Sequence, residues 1–363
     1  MLAKLAKNHK LLMCIIAAFA AVLALVAAGC GKSTESTDTA APNVSEKAAA
    51  LNGAGSTFDQ PLFTQMFSEY SKIHPKVTVN YQGVGSGAGI KQLSDQTVDF
   101  GATDAPMKPE ELSAAKGGAI LHIPVTLGAV AVTYNVPNVE KGLKLTPQVV
   151  ADIYLGKITK WNDSQIAAAN KGVNLPDLAI NTAHRSDGSG TTSIFTEYLS
   201  AVSSDWSSKV GNGKTVNWPN GVGGKGNAGV AAAIQQTPGT VGYVELAYAK
   251  QNDMTFAAIK NKAGKWAEPS TAGASVAAGG ATIPDNLCAS IVNADGDKAY
   301  PISGFSWVIV YQKQTDKDKG EAVVKLLNWM VNDGQQYSEP LDYAKLPASL
   351  VNRIDAVLKT ITY

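Results

Sequence analysis

Cysteine and histidine are both scarce in this 363-residue chain: three of the first (Cys14, Cys30, Cys288) and four of the second (His9, His74, His122, His184). The cysteines are too few for a disulfide framework, and neither set shows metal-ligand spacing, so no metal is expected. Cys288 is read as a small buried hydrophobe. An excess of positive charge is lacking too. Lys+Arg number 31 against 30 Asp+Glu; without residues 1–29, which hold three lysines and no acid, 28 face 30 and the formal charge is −2. Nothing therefore suggests a nucleic-acid binder, which carries a basic face. The familiar glycine signatures also fail. No stretch completes a P-loop, and in "GVGSGAGIK" Ala88 stands where the dinucleotide fingerprint needs its third glycine. In "DGSGT", Asp187 and Thr191 occupy the glycine positions of a nucleophile elbow. No internal repeat is visible.

What is present begins with Lys4, Lys7 and Lys10, an apolar run, and Ala27-Ala28-Gly29 in front of Cys30. A positive start, an apolar stretch and a small-residue exit describe an export signal over residues 1–29. The run of 18 apolar residues is also long enough to be weighed as a membrane helix. The small residues before Cys30 favour a lipoprotein signal, with the Cys30 thiol acylated, although Ala27 stands where leucine is commoner. Residues 30–49 are small, polar and aperiodic, which predicts a flexible tether.

The remaining chain exceeds one ordinary core, so two domains are expected. In "QPLFTQMFSEYSKI", Leu62, Phe63, Met66, Phe67 and Tyr70 recur at helical spacing, and "KVTVNYQGV" alternates as a strand with Val77, Val79 and Tyr81 on one face. "AILHIPVTLGAVAVTYNV" is long enough for a strand that leaves one lobe and enters another. "LAINTAHRSD" and "GFSWVIVYQ" are predicted strands; "SIFTEYLSAV", "GEAVVKLLNWMVNDG" and "ASLVNRIDAVLK" are predicted helices. The alternation predicts an α/β protein. Residues 271–282, rich in Ala, Gly and Ser, are expected to form a loop.

Three predicted helix starts share one chemistry. "GAGSTF" precedes a helix beginning near Asp59, "GVGSGAG" precedes one holding Ile90 and Leu93, and "HRSDGSG" precedes "TTSIFTEYL". Each combines glycines with a hydroxyl near an N-cap. Any one of them alone is ordinary capping. Together, with unpaired N–H groups at the positive ends of helices, three such starts point to an anion site beyond capping. Arg185 offers a bidentate fork for such an anion, and Asp187 a carboxylate to hold the guanidinium, unless the two form a plain surface ion pair. Asp104, in "VDFGATDAP", is a turn residue or something more selective. A carboxylate repels a bare anion but accepts a hydrogen bond from one that carries a proton. Hydrogen phosphate has that proton, and sulfate at neutral pH does not.

The stretches "GAGSTF", "YQGVGSGAGIKQL", "VDFGATDAPM", "DIYLGKITKW", "HRSDGSGTTSIFTEYL", "WPNGVGGKGNAGVAAAIQQTPGTVGYVELAYAKQN" and "LDYAKLP" occur in this order. In this the chain resembles the phosphate-binding proteins of the bacterial high-affinity phosphate ABC importer, from about residue 51 onward. The resemblance implies a type II periplasmic-binding-protein fold: two α/β lobes joined by two crossovers, with lobe I at 50–126 and 301–363 and lobe II at 127–300. It implies phosphate ligands at Thr57, Phe58 (through its backbone N–H), Ser86, Asp104, Arg185, Ser189, Gly190 (through its N–H) and Thr191, with Asp187 supporting Arg185. Three positions depart from the family pattern: Ser56 where alanine is common, Thr103 where serine is common, and His184. Lys225, among the glycines of "WPNGVGGKGN", is not a family ligand and is read as part of a surface or closure loop, with Trp218 packing nearby.

The function so implied is capture of inorganic phosphate by lobe closure and delivery to the permease and ATPase subunits of an importer. It requires no cofactor and no catalysis. The protein is expected to be an exported, lipid-anchored monomer on the extracytoplasmic face of a membrane. The rival readings are a binding protein for molybdate or sulfate, a phosphoester hydrolase using Ser189, and an adhesin or sensor that kept only the fold.

Overall fold

The computed structural model describes residues 47–363. The export signal, Cys30 and nearly all of the tether lie outside the described residues, and the first strand already begins at Ala49.

Eight strands form one continuous path in the order Val77–Gly83, Ala49–Gly55, Phe100–Thr103, Ser303–Tyr311, Ile120–Tyr134, Thr240–Glu245, Asn181–Arg185, Val222–Gly224. Strand Ala49–Gly55 is parallel to both neighbours, as is Asn181–Arg185, so each end of the path is a parallel α/β unit. Two antiparallel strands lie between them. The N-terminal part of Ile120–Tyr134 pairs with Ser303–Tyr311 and its C-terminal part with Thr240–Glu245. One 15-residue strand thus serves both halves, as its long, mainly apolar run predicts.

Pro124 interrupts this central strand. It lacks the N–H that a ladder needs. The register against Ser303–Tyr311 shifts between Ser306 and Trp307, which face Thr126 and Pro124, so Val125 bulges out. The Val125 carbonyl is satisfied by Gln335 Nε2 at 2.9 Å. Ser306 sits at the edge of the bulge.

The predicted helix over 60–73 forms as Gln60–Ile73, burying Leu62, Phe63, Met66, Phe67 and Tyr70. Phe63 and Phe67 pack on Tyr81, and Phe67 on Phe100, with ring centroids 5.0, 6.3 and 6.0 Å apart. Burial of each such side chain contributes about 1.5–3 kcal/mol. The segment 271–282 departs from expectation. Thr271–Gly279 is a helix capped by Ser270 Oγ, which accepts the Gly273 N–H at 3.1 Å. Ala274, Ala277 and Ala278 are buried on one face of it, and alanine is the best helix former, so the small residues indicate close packing. Among the described residues no helix is long and apolar enough to cross a membrane.

Candidate functional site

All three helix starts meet at the junction of the two halves. The first turn, Ser56–Phe58, follows strand Ala49–Gly55. Its three consecutive carbonyls each accept a tyrosine hydroxyl: Tyr81 on Ser56 at 2.7 Å, Tyr248 on Thr57 at 2.6 Å and Tyr343 on Phe58 at 2.6 Å. These tyrosines come from three distant segments and fix the backbone of the turn.

The second turn ends at Gly85, whose φ of +96° favours glycine; a Cβ there would stand 2.2 Å from Asp187 Oδ2. Ser86 opens helix Ser86–Ser94 and is fully buried. Its hydroxyl accepts the Gly190 N–H at 3.0 Å, and the Gly87 N–H donates to the Gly188 carbonyl at 2.8 Å. The third turn leads from strand Asn181–Arg185 into helix Gly190–Val202. Ser189 is its N-cap, accepting the Thr192 N–H at 3.1 Å. The Ser189 hydroxyl is therefore an acceptor within its own helix. His184 is turned elsewhere, stacking on Trp218 at 4.8 Å with its Nδ1 3.1 Å from the Arg185 carbonyl.

Arg185 is 4% exposed. Its Nε donates to Asp187 Oδ1 at 2.8 Å, a terminal nitrogen donates to Asp187 Oδ2 at 2.5 Å, and the other reaches Thr191 Oγ1 at 3.4 Å. This is a built bidentate pair, unlike a surface bridge. Burial opposes ionisation of Asp187, but the Arg185 hydrogen bonds and charge, with the Gly226 N–H, hold its carboxyl below the usual range.

Asp104 is 3% exposed. Ser56 Oγ donates to its Oδ2 at 2.7 Å, and Ser306 Oγ lies 2.7 Å from its Oδ1. Burial pushes the carboxyl up to about 6, against the pull of Ser56, Ser306, Arg185 and the Thr191 backbone. Burial thus opposes its charge, and the two hydroxyls and Arg185 favour it.

The structure thus brings together Thr57, Phe58, Ser86, Asp104, Arg185, Ser189, Gly190 and Thr191, all buried, with Asp187 behind the arginine. Ser56, the departure from alanine, has a definite place here. Its hydroxyl accepts the Phe58 N–H at 2.9 Å while donating to Asp104, so it bridges two of the predicted ligand positions. Lys225 is exposed at a helix start without a cap bond, in keeping with a surface loop. Cys288 is only half-buried, and burial pushes its thiol up to about 11.

Asn227 was not singled out by the sequence. Fully buried, it donates from Nδ2 to Thr57 Oγ1 at 3.0 Å and to Thr191 Oγ1 at 3.2 Å, while its Oδ1 accepts the Glu245 N–H at 3.0 Å. It clamps a hydroxyl of one half to a hydroxyl of the other. Its only local signal is an asparagine in the first turn of a helix, which resembles a cap.

Gly190 permits the close approach of the halves. A Cβ there would lie 2.5 Å from Asp104 Oδ2 and 2.6 Å from the Asp104 backbone nitrogen. Gly190→Ala is expected to lower the thermal midpoint by the equivalent of about 1–3 kcal/mol, the usual size of overpacking. An unchanged melt would show that the approach is looser than described.

Residues 34–333 match a family model described as a PBP superfamily domain. The chain is 42% identical over 332 residues to the phosphate-binding protein PstS of Xylella fastidiosa (strain 9a5c), covering 90% of each. It is 39% identical over 345 residues to the PstS of Methanocaldococcus jannaschii, covering 86% of this chain and 89% of that one. Among solved structures it is similar in fold to a high-affinity periplasmic phosphate-binding protein (PfluDING) bound with phosphate. The TM-score there is 0.68 at 20% identity, covering 85% of this chain and 93% of the other. The chain belongs to the PBP superfamily and, within it, to the PstS phosphate-binding proteins.

Proposed function

We propose that the protein is an extracytoplasmic solute-binding protein that captures inorganic phosphate as hydrogen phosphate and delivers it to the permease of an ABC importer. The observation that carries this reading is the pairing of a buried arginine fork with a buried aspartate, held by the hydroxyls of Ser56 and Ser306, at the junction of two halves. The arginine suits an oxyanion; the aspartate admits only one that brings a proton.

In this reading lobe I comprises 50–126 with 301–363, and lobe II comprises 127–300. Thr57, the Phe58 N–H, Ser86 and Asp104 receive the ion first; Arg185, Ser189, the Gly190 N–H and Thr191 close over it. The contacts these groups make with one another are then exchanged for contacts with phosphate. Closure is coupled to binding because the hydrogen bonds of the ion are complete only when both lobes contribute. Outside the cleft two ion pairs reinforce closure: Lys214–Glu111 at 2.7 Å and Lys250–Asp342 at 2.5 Å. Acylated Cys30 and residues 30–49 would tether a monomeric body to the membrane that holds the permease. No step requires a cofactor or catalysis.

Calorimetry of the purified, ligand-stripped protein tests this. Phosphate is expected to bind tightly, with sulfate and molybdate far weaker. Preference for either of the latter would move the protein to that anion, and binding of none would leave only the fold. Asn227→Ala is expected to weaken phosphate binding by about 1–3 kcal/mol, since it removes the side chain that joins the Thr57 hydroxyl of one half to the Thr191 hydroxyl of the other. Wild-type affinity in that variant would show that the clamp plays no part in closure.

A further inference from the structure

Behind Asp104 lies a second buried acid that the proposed binding set does not use. Asp59 is 0% exposed and occupies the N-cap position of helix Gln60–Ile73, yet its side chain caps nothing there. Its Oδ2 lies 2.6 Å from Ser306 Oγ, and that same oxygen lies 2.7 Å from Asp104 Oδ1. The Asp59 Oδ1 has no hydrogen-bond partner among the described residues.

A serine hydroxyl has one proton. It can donate to one of the two carboxyls, and the other contact must then be bridged by a proton on the carboxyl itself. Two carboxylates about one hydroxyl would leave a short oxygen–oxygen contact with no hydrogen in it, in a buried setting that already disfavours charge. The pair therefore shares one proton.

The surroundings decide which acid holds it. The titratable groups facing Asp59 are Asp104 from the turn after Phe100–Thr103, Tyr81 from strand Val77–Gly83, Glu245 and Tyr248 from the lobe opposite, and Tyr343 near the C-terminus. None is a cation. Asp104 has the Ser56 hydroxyl, the Thr191 backbone and the Arg185 charge, all favouring its ionised form. Burial, then the charge of Asp104, push Asp59 well above the carboxylate range.

We propose that Asp59 is a specificity-determining positioning residue, a protonated carboxyl that donates to Ser306 and, through the Ser306 hydroxyl, reserves Asp104 as an acceptor for the proton of the ligand. The relay runs from Asp59 Oδ2–H to Ser306 Oγ, and from Ser306 Oγ–H to Asp104 Oδ1. Ser56 Oγ–H occupies one lone pair of Oδ2. Without the Asp59 donor, the Ser306 hydroxyl can turn to the Thr103 carbonyl, 3.3 Å away, and Asp104 loses support for its charge. The specificity role rests on the phosphate reading; the shared proton does not.

Two measurements on the full chain test the proposal. Carbon NMR of the protein labelled at aspartate carboxyls, without ligand at pH 7, is expected to show one carboxyl in the protonated position. That signal should vanish in Asp59→Asn and persist in Asp104→Asn. Calorimetry across pH with phosphate and with sulfate is the second. In Asp59→Leu the pH below which phosphate is no longer preferred should rise by about one unit, a tenfold change in proton affinity. In Asp59→Asn, whose amide also donates to Ser306, the profile should return toward that of the native chain. Absence of any protonated aspartate at pH 7, its loss in Asp104→Asn in place of Asp59→Asn, or identical profiles for the Leu and Asn variants would overturn the proposal. If the native chain binds no phosphate, the specificity role falls with the phosphate reading, and the NMR result alone decides the shared proton.

Discussion

Sulfate is expected to become a competent ligand in Asp104→Asn. The native carboxylate accepts a proton from hydrogen phosphate and meets sulfate with bare lone pairs; the amide of the variant can instead donate. Phosphate loses a charge-assisted bond worth about 1.5–3 kcal/mol, and sulfate is relieved of a penalty of about the same size. The ratio of phosphate to sulfate affinity should therefore fall by roughly a hundredfold to ten-thousandfold, as read by competition calorimetry. An unchanged ratio would remove Asp104 from the discrimination. The native chain should show a milder form of the same change with pH. Its carboxyl is raised to about 6, so it is an acceptor above that value and gains a proton as pH falls through it. Preference for phosphate should be full near pH 8 and erode below about pH 6, with sulfate binding rising over the same interval.

Arg185→Ala is expected to be the most damaging single change to phosphate affinity. It deletes the fork and also strands the Asp187 carboxylate, which is tied to it by bonds of 2.8 and 2.5 Å. The stranded Asp187 lowers stability in free and bound protein alike; loss of two charge-assisted hydrogen bonds to the anion, each worth about 1.5–3 kcal/mol, should lower affinity by roughly a hundredfold to ten-thousandfold. Lys225→Ala, which removes an exposed side chain from the glycine-rich loop, should alter affinity less than about twofold. Equal losses in the two variants would contradict the assignment of the cation at the site.

The features of this site that were legible in the sequence are those built from local chemistry. Gly-Ser-Gly before an amphipathic run reads as a helix start because the cap, the turn and the first buried face lie within a few residues. The helix over 60–73 was legible because its five apolar residues repeat at the helical period. What is not legible there is held together across the chain. Asn227 meets Thr57 170 residues away, and Ser306 meets Asp59 and Asp104 across separations of 247 and 202. In sequence, a serine inside a strand and an aspartate before a helix look like an alternation defect and a cap. The sheet order that places Ser303–Tyr311 beside Phe100–Thr103 brings them together. For a related reason, the helix Thr271–Gly279 differs from the loop expected. Its alanines and glycines suggested a loop by composition, whereas their spacing fits a face packed closely against its neighbours.

The most direct test of the whole account is a crystal structure of the protein with phosphate bound. One ion is expected at the junction of the halves, with two of its oxygens on the Arg185 guanidinium and one within hydrogen-bonding distance of the Asp104 carboxylate. The hydroxyls of Thr57, Ser86, Ser189 and Thr191 and the N–H groups of Phe58 and Gly190 should complete its shell. Phosphate seated elsewhere, or held there without contact to Asp104 and Arg185, would contradict it.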